Sequence, residues 1–234
     1  MENKLKENLF HLLAEKGAKL MGIADLSGIG GAEMRTGVAV AVPLPPKIIR
    51  DLQNAPTLEY YDAYHALNKK LDEIVSCGAA FLRKHGYAAA AHTTKTVQQD
   101  ADWRTPLPHK TVATRAGLGW IGKSCLLVTA NYGSAVRLSS LVTNAPLPPD
   151  APVTESRCGS CTVCVQSCPG KALTGTLWTP DTPREALLHK EACKKAQIER
   201  MRRAVGVETD LCGLCFAVCP YTRRYLEEIT DRGL

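Results

Sequence analysis

The sequence predicts an α+β fold, with an α/β domain over residues 1–150 followed by a smaller domain over residues 151–234. Three observations support this division: helical and strand-like patterns alternate through the first 145 residues, a proline-rich segment follows, and eight of the ten cysteines come after it. Alternating elements of this kind pack helices against a sheet. A chain of 234 residues is long enough to bury a substantial core.

Apolar residues at helical spacing predict three helices in the first domain. Leucines recur on one face over residues 2–16, and apolar side chains recur every three or four positions over residues 59–84. A short helix is predicted over Thr111–Ala116, because Gly117 is suited to end it. The two longer segments are amphipathic, so each has one face available for packing.

Short apolar runs predict the strands of the first domain. The run Gly37–Val42 is rich in valine and stops at a proline, which is typical of a strand buried on both faces. Further strands are predicted over residues 87–92, 125–129 and 136–142. Residues 144–152 contain four prolines and therefore predict a semi-rigid linker at the domain boundary.

Composition limits the class and location of the protein. A chain with 45% hydrophobic and 22% charged residues has the composition of a folded protein, not of a disordered one. The first ten residues lack a secretory signal pattern, and no apolar run approaches the roughly 20 residues that cross a bilayer. The expected location is the cytoplasm, with no membrane partner. Clustered thiols there more often hold metal than form disulfides.

The cysteines fall into two motifs and one isolated residue. The first motif is Cys158-Gly-Ser-Cys161-Thr-Val-Cys164-Val-Gln-Ser-Cys168-Pro169, the spacing of bacterial two-cluster ferredoxins. The second is Cys212-Gly-Leu-Cys215-Phe-Ala-Val-Cys219-Pro220, and Cys193 lies between the two. Eight thiols are enough for two 4Fe-4S clusters. Zinc is the alternative metal, although zinc motifs usually consist of two separated cysteine pairs.

The spacing also predicts which thiols share a cluster. Three cysteines separated by two residues can wrap one cube, whereas a fourth that precedes a proline points to the neighbouring cluster. One cluster is then held by Cys158, Cys161, Cys164 and Cys219, and the other by Cys168, Cys193, Cys212 and Cys215. Two such clusters would reduce the formal charge of +6 to roughly +2, so a polyanionic partner is only weakly indicated.

Upstream of the cysteines, two further segments carry a family resemblance. They are Arg115-Ala-Gly-Leu-Gly-Trp-Ile-Gly-Lys-Ser124 and Asn131-Tyr-Gly-Ser134. Together with the first cysteine motif they strongly resemble the epoxyqueuosine reductases, which are cobalamin-dependent oxidoreductases with two 4Fe-4S clusters, related to the reductive dehalogenases. Looser matches at residues 21–24 and 61–65 extend the resemblance over nearly the whole chain.

The resemblance implies that a ferredoxin-like domain delivers electrons to cobalamin bound base-off in a nitroreductase-like α/β domain. Glycines would let the backbone approach a flat ligand, and Trp120 and Tyr132 would form apolar walls. Lys123, or Gly133 with Ser134, would meet corrin amides or a phosphate. The alternative is that this segment is a glycine-containing connection between a helix and a strand, with its tryptophan in the core. The expected cobalamin-binding residues are Arg115, Gly117, Gly119, Trp120, Gly122, Lys123, Tyr132, Gly133 and Ser134.

The sequence departs from the family at the expected catalytic acid. The family places an aspartate in a Val-Asp-Thr-Gly-Pro stretch, twelve residues before the arginine that corresponds to Arg115. Here that position is Trp103, and Asp102 is its neighbour. Either a small shift of the loop makes Asp102 the proton donor, or the acid is absent and Asp102 is a solvated charge. Reduction of an epoxide needs a proton for the departing oxygen.

Two principal functions are therefore expected. The first is a cobalamin-dependent reductase that acts on a small organic or nucleoside substrate. The second is an electron-transfer protein or corrinoid reductase that activates a partner corrinoid protein without substrate chemistry of its own. A ferredoxin-type carrier whose α/β domain binds flavin is a third reading.

The expected electron donor is a low-potential protein such as ferredoxin or flavodoxin. The basic run over residues 190–203 is interpreted as a solvated helix face or as a docking patch for that donor. A transfer RNA partner is less expected, because family members that act on transfer RNA continue well past the last cysteine motif. This sequence ends at Leu234, 15 residues after Cys219.

Overall fold

A computed structural model describes residues 2–29 and 34–231 and confirms the predicted mixture of helices and sheets. The helices are α1 (Glu2–Glu15), α2 (Pro46–Leu52), α3 (Leu58–Lys84), α4 (His109–Arg115), α5 (Val163–Gln166), α6 (Lys190–Val205), α7 (Leu214–Ala217) and α8 (Pro220–Asp231), with a 3-10 turn at Arg184–Ala186. The strands are β1 (Leu20–Asp25), β2 (Thr36–Pro43), β3 (Ala89–His92), β4 (Trp120–Ile121), β5 (Leu127–Val128) and β6 (Val136–Thr143).

The larger sheet has the strand order β1-β2-β6-β3. Strand β1 pairs antiparallel with β2, so that Ile23 lies opposite Val38, and β3 pairs antiparallel with β6. The six central residues of β2 are buried, which confirms the predicted strand with two covered faces. Helices cover both faces of β2: Val38, Val40 and Val42 lie in the core cluster with residues of α1 and α3, and on the opposite face a Cβ atom at Gly37 would lie 2.8 Å from the Val112 side chain of α4.

Helices α1 and α3 pack their apolar faces into the core around this sheet. Leu9 and Leu13 of α1 and Ile74 of α3 are fully buried in one cluster with Leu141 of β6. At Gly78 of α3, a Cβ atom would lie 2.8 Å from the Leu141 side chain, so the absence of a side chain permits the close approach. The helical periodicity of both segments therefore reports the core face correctly.

The chain folds as two compact units, each made of separate stretches of sequence. The first unit comprises the described residues within 1–42, 66–118 and 137–153, and the second comprises the described residues within 43–65, 119–136 and 154–234. The chain passes from the first unit to the second for the last time between residues 153 and 154, whereas the sequence predicts one boundary near residue 150. Composition does not anticipate the two earlier segments of the second unit, because it reports nothing about long-range packing.

Several elements differ from their sequence-based expectation. The strand predicted over residues 125–129 is shorter, because Cys125 has a φ of 59° and lies in a turn, which leaves only Leu127–Val128 to pair with β4. Strand β1 carries Gly22, which weakens its strand signal. Helix α6 carries charges on most of its surface and has only one fully buried residue, Met201, so it shows little periodicity.

Asp150 attaches the proline-rich segment to β1 inside the first unit. Its carboxylate accepts hydrogen bonds from the Ile23 amide at 2.7 Å and from the Lys6 ammonium at 2.6 Å. Its own amide donates to the Ile23 carbonyl oxygen at 2.9 Å. The segment thus pairs with the free side of β1, which is an edge strand of the sheet.

Replacement of Asp150 by alanine is expected to lower the free energy of unfolding by about 1–3 kcal/mol, because the Ile23 amide loses its acceptor. Lys6→Met removes a partly exposed ion pair and a 3.2 Å hydrogen bond to the Pro148 carbonyl oxygen, and it should cost less, about 1 kcal/mol or below. Urea denaturation of the two single variants and the double variant measures both effects. Equal losses in the two single variants would contradict the bond to the Ile23 amide as the main contribution.

Candidate metal centres

The first group of thiols comes from the first cysteine motif and from the start of α8. Cys158 and Cys161 form a turn in which the Cys161 amide donates to the Cys158 carbonyl oxygen at 3.1 Å. Cys164 lies on α5, and Cys219 immediately precedes α8. Burial raises the pKa of the Cys164 thiol to about 11, and the next contributions come from the thiols of Cys158, Cys219 and Cys161. These four thiols therefore share one neighbourhood.

The second group lies around Cys193, the cysteine with no local motif. Burial raises the pKa of the Cys193 thiol to about 11, followed by contributions from Cys168, Cys212 and Cys125. The pKa of Cys215 is also raised, first by burial and then by Cys212 and Cys193, with smaller effects from Cys164 and Cys168. Cys215 is thus near thiols of both groups. The groups match the two ligand sets deduced from spacing, and the sorting of ligands stays a prediction.

Zinc and a 4Fe-4S cube differ in how closely they draw their sulfur ligands together. Zinc–sulfur bonds of about 2.3 Å would bring the sulfurs of one tetrahedral site to within about 4 Å of one another. Among residues 2–29 and 34–231, no three His, Cys, Asp or Glu side chains converge closely enough to hold one metal ion. A cube with an iron at each corner spreads its four thiolates further apart than a single zinc ion does.

Two thiols of the second group accept hydrogen bonds from the surrounding chain. The Ala172 amide donates to Cys168 Sγ at 3.4 Å, and Gln197 Nε2 donates to Cys193 Sγ at 3.4 Å. Gln197 lies one turn after Cys193 on α6, so the helix positions both partners. Hydrogen bonds to cluster sulfurs raise the reduction potential, because they stabilise the more negative state. The sequence motifs give no signal for either donor.

Lys123 contacts the first cysteine motif. Its ammonium donates to the Gly159 carbonyl oxygen at 2.7 Å and to the Cys161 carbonyl oxygen at 3.1 Å, and the residue is 7% exposed. The side chain is therefore directed at the turn that carries two candidate ligands. Its expected contact with a corrinoid stays a prediction, and the contacts to the cysteine turn were not anticipated from the sequence.

The aromatic residues of the candidate corrinoid segment pack within the second unit. Trp120 is 2% exposed, its ring meets Tyr221 edge to face at 4.9 Å, and the Arg157 guanidinium lies 5.5 Å from the ring centre. Tyr132 meets Tyr225 edge to face at 5.0 Å. These contacts are those of core residues, as the alternative reading of this segment expects.

Ser134 and Trp120 each contain a buried polar atom without a hydrogen bond. The Ser134 amide donates to Thr222 Oγ1 at 3.0 Å, whereas its hydroxyl has no partner in the described part of the chain. The same holds for the Trp120 indole nitrogen within those residues. Unsatisfied buried donors of this kind are uncommon in folded proteins, and a bound ligand or water can satisfy them.

Three of the candidate glycines are required by contacts inside the second unit. At Gly119 a Cβ atom would lie 2.0 Å from the Val128 carbonyl oxygen, and at Gly133 it would lie 2.2 Å from the Thr222 amide nitrogen. At Gly122 it would lie 2.6 Å from the Val128 side chain and 3.4 Å from Cys158 Sγ. Internal packing alone therefore explains these glycines, and their role towards a corrinoid stays a prediction.

Two other candidate residues lie in the first unit. Gly117 follows α4 with a φ of +73°, and a Cβ atom there would lie 2.7 Å from the Ala151 carbonyl oxygen. The Arg115 guanidinium donates to the Asp25 carbonyl oxygen at 2.9 Å. The structure thus assigns to both residues a role in packing β1 and the proline-rich segment against α4, and their corrinoid role is untested.

Asp102 lies in an exposed and strained loop of the first unit. The Asp100 carboxylate accepts the amides of Asp102 at 2.9 Å and of Arg104 at 2.8 Å, which holds the turn. Trp103 has a φ of 55° although it is not glycine, and it is 38% exposed. Such backbone strain costs of order 1–3 kcal/mol and is found preferentially at functional sites. Asp100 shapes the loop, and Asp102 presents an exposed carboxylate from it.

His92 and His109 form a pair in the first unit, with ring centres 6.4 Å apart. Burial lowers the pKa of His109 to about 4, with His92 and Arg137 as the next causes. His109 Nδ1 lies 2.9 Å from Ser140 Oγ. His109 is therefore neutral at pH 7, and its ring is held in place by β6.

A family model confirms the class of metal site. Residues 157–222 match the family described as a 4Fe-4S double cluster binding domain. The matched span contains all eight candidate ligands. The cysteine motifs therefore form an iron–sulfur site, as their spacing predicts.

Curated relatives confirm the family resemblance. Epoxyqueuosine reductase of Lactococcus garvieae is 34% identical over 162 residues, covering 69% of this chain and 42% of the relative. The protein of that name from Synechococcus sp. is 28% identical over 269 residues, covering 98% of this chain and 80% of the relative. The Listeria monocytogenes protein is 40% identical over 112 residues, covering 48% and 29%. This chain spans less than half the length of the Lactococcus and Listeria relatives.

Solved structures show the same fold. An epoxyqueuosine reductase with a tRNA-Tyr epoxyqueuosine-modified stem loop superimposes with a TM-score of 0.63 at 24% identity, covering 95% of this chain and 66% of that one. A catabolic reductive dehalogenase gives a TM-score of 0.70 at 17% identity, covering 94% and 33%. The chain is thus an epoxyqueuosine reductase-like iron–sulfur protein. Within the described residues, no helix is both long and apolar enough to cross a membrane.

The iron content of a cysteine variant tests the second ligand set. Anaerobically prepared protein is expected to hold about eight irons per chain, and Cys193→Ala to hold about four, because one cube loses a ligand. Cys77→Ala is the matched control, since Cys77 lies on α3 outside both groups and should retain about eight. Full iron content in the Cys193 variant would exclude it as a ligand.

Proposed function

We propose that this relative of the epoxyqueuosine reductases is itself a reductase, in which two 4Fe-4S clusters pass single electrons to a bound corrinoid. The observation that carries the proposal is the double cluster domain within a chain that aligns over 98% of its length with an epoxyqueuosine reductase. The reductive dehalogenase fold of the chain is consistent with the same combination of groups.

Electron transfer between the two proposed clusters is supported by the proximity of the two groups of thiols. After burial and Cys212, the pKa of the Cys215 thiol is raised by Cys193 of its own group and also by Cys164 of the other group. The two groups are therefore adjacent. Cubes held only by thiolates have low potentials, commonly about −400 mV in ferredoxin-type sites. Two such centres can collect two electrons one at a time. A bound corrinoid supplies a cobalt centre that couples these single electrons to two-electron reduction of an organic substrate.

The proposed substrate is an epoxide in a nucleoside of RNA. A similar protein is described in complex with an epoxyqueuosine-modified tRNA stem loop, which motivates this choice. Conversion of the epoxide to an alkene breaks two carbon–oxygen bonds and consumes two electrons and two protons, and the oxygen leaves as water. The electrons come from the clusters, and a side chain must deliver a proton to the departing oxygen.

Asp102 is the proposed proton donor. Its carboxyl group is exposed on a loop that Asp100 holds and that contains the strained Trp103. An epoxyqueuosine reductase of Bacillus subtilis is described with a catalytic aspartate loop swung out of its active site, which supports a loop-borne acid in such proteins. An exposed loop can bring the carboxyl group to a substrate and withdraw it.

The proposed electron donor is an acidic low-potential protein such as ferredoxin or flavodoxin. Helix α6 carries the candidate ligand Cys193 together with six basic and two acidic residues. Glu199 pairs with Arg202 and Arg203, whereas Lys195 is exposed near Cys193. A positive surface beside a cluster attracts an acidic carrier and places it within a short path for electrons.

Anaerobic turnover tests the reductase proposal. Iron-loaded protein with cobalamin and a chemical reductant should convert the epoxide in a modified RNA stem loop. Asp102→Asn should lower this rate by roughly 10²- to 10⁴-fold, because proton delivery is lost. Asp181→Asn removes another exposed carboxylate and should leave the rate unchanged. Iron content and cobalamin absorbance, measured in parallel, show that both variants carry their cofactors.

If the RNA is not converted, the behaviour of cobalamin in the same assay distinguishes the alternative functions. If the wild-type protein reduces added cobalamin but leaves the RNA unchanged, the corrinoid reductase alternative is favoured. If it neither binds nor reduces cobalamin, the corrinoid part of the proposal is wrong, and a carrier with another acceptor remains.

Charge reversal on α6 tests the electron donor. Lys195→Glu should slow reduction of the clusters by reduced flavodoxin several-fold at low salt, and the difference should shrink as ionic strength rises. Lys4→Glu on α1 makes the same charge change at another exposed position and should have little effect. Equal effects of the two variants would contradict a docking site on α6.

A further inference from the structure

We propose that Lys123 is a positioning residue that raises the reduction potential of the cluster held by Cys158, Cys161, Cys164 and Cys219. The inference rests on the two clusters of the proposed function, but on neither its corrinoid nor its substrate. It gives the glycine-rich segment that carries Lys123 a role towards iron and sulfur. The two hydrogen bonds from a nearly buried ammonium to the first cysteine turn carry the inference.

A tight turn places Lys123 beside the cysteines. Strands β4 and β5 are joined by a connection in which the Gly122 amide donates to the Leu126 carbonyl oxygen at 2.9 Å. The Cys125 amide donates to the Gly122 carbonyl oxygen at 2.8 Å, so residues 122–125 form a closed turn. The Lys123 backbone is therefore held from both sides, and its nearly buried side chain donates to the two carbonyl oxygens of the cysteine turn.

The same turn approaches a candidate ligand directly. A Cβ atom at Gly122 would lie only 3.4 Å from Cys158 Sγ, so the backbone next to Lys123 is near that sulfur. The turn formed by Cys158 and Cys161 presents two of its carbonyl oxygens, those of Gly159 and Cys161, to the Lys123 ammonium. The positive charge is thus fixed at the loop that supplies the first two ligands.

Electrostatics predicts the sign of the effect of Lys123 on the reduction potential. An oxidised 4Fe-4S cube with four thiolates carries about −2, and reduction adds one electron to reach about −3. A cation interacts more favourably with the more negative state, and the interaction is strong because a residue only 7% exposed is weakly screened by water. Lys123 therefore favours the reduced state of this cluster. The step consumes one electron from the donor and requires no proton.

Two other roles for Lys123 make different predictions. A residue that only clamps the loop would affect the retention of iron and leave the potential of the retained cluster unchanged. A residue that binds a corrinoid phosphate would affect cobalamin affinity and leave both clusters unchanged. Charge-dependent tuning of a single cluster is the outcome specific to our proposal.

The test is an anaerobic redox titration followed by electron paramagnetic resonance, with no corrinoid or substrate present. In Lys123→Met we expect the equilibrium constant for reduction of one cluster to fall about tenfold, which is 59 mV for a one-electron couple. The other cluster should keep its potential. Lys123→Gln, which retains donors but has no charge, should behave like the Met variant, and Lys123→Arg should stay close to wild type.

Lys171→Met is the matched control. Lys171 is exposed and lies three residues after Cys168, so its removal deletes a positive charge near a cysteine motif without removing a buried one. The potential of the tuned cluster should not change in this variant. A shift equal to that of Lys123→Met would show a general charge effect and overturn the proposal.

Two further results would overturn the proposal. One is an unchanged potential in iron-replete Lys123→Met or Lys123→Gln. The other is the loss of one cluster from both variants while Lys123→Arg retains it, which would make Lys123 a clamp for the loop. Wild-type protein that contains no iron would instead refute the proposed function itself, before any variant is compared.

Discussion

The burial of cysteine thiols is the constraint on which the second unit depends. Burial is the largest cause of the raised pKa values of Cys164, Cys193 and Cys215, and neighbouring thiols raise them further. The form that binds metal is the thiolate, which this environment disfavours as long as no cation is present. Iron supplies the compensating positive charge, so assembly of the clusters and organisation of this unit are thermodynamically linked.

This constraint also accounts for the groups that surround the thiols. A cube with four thiolates remains negative, so nearby donors and cations are stabilising. The structure provides the Ala172 amide, Gln197 Nε2 and the Lys123 ammonium, each directed at a cysteine sulfur or at the backbone that carries it. They come from three separate parts of the chain. Stabilisation of the negative charge is therefore distributed over the unit, whereas the ligands themselves come chiefly from two short motifs.

The parts of the molecule that the sequence predicts well are those with local causes. The iron–sulfur class of the cysteine motifs follows from their spacing, and α1 and α3 follow from helical periodicity, since both patterns report on neighbours along the chain. Lys123 could not be assigned to Gly159 and Cys161, because that contact joins residues 36 and 38 positions apart. The buried side of helix α6 could not be located for a different reason: its many charges obscure the apolar periodicity of the face that holds Met201.

The glycine-rich segment shows why a family motif does not by itself identify a ligand contact. Gly119 and Gly133 are needed because backbone atoms of Val128 and Thr222 occupy the space of a side chain. Trp120 is similarly enclosed by Tyr221 and Arg157. A motif of this kind can persist because it shapes the protein around the clusters, whatever else binds nearby. Residues that contact a ligand are better sought where buried polar atoms lack partners, and in this segment the Ser134 hydroxyl and the Trp120 indole nitrogen meet that criterion within the described residues.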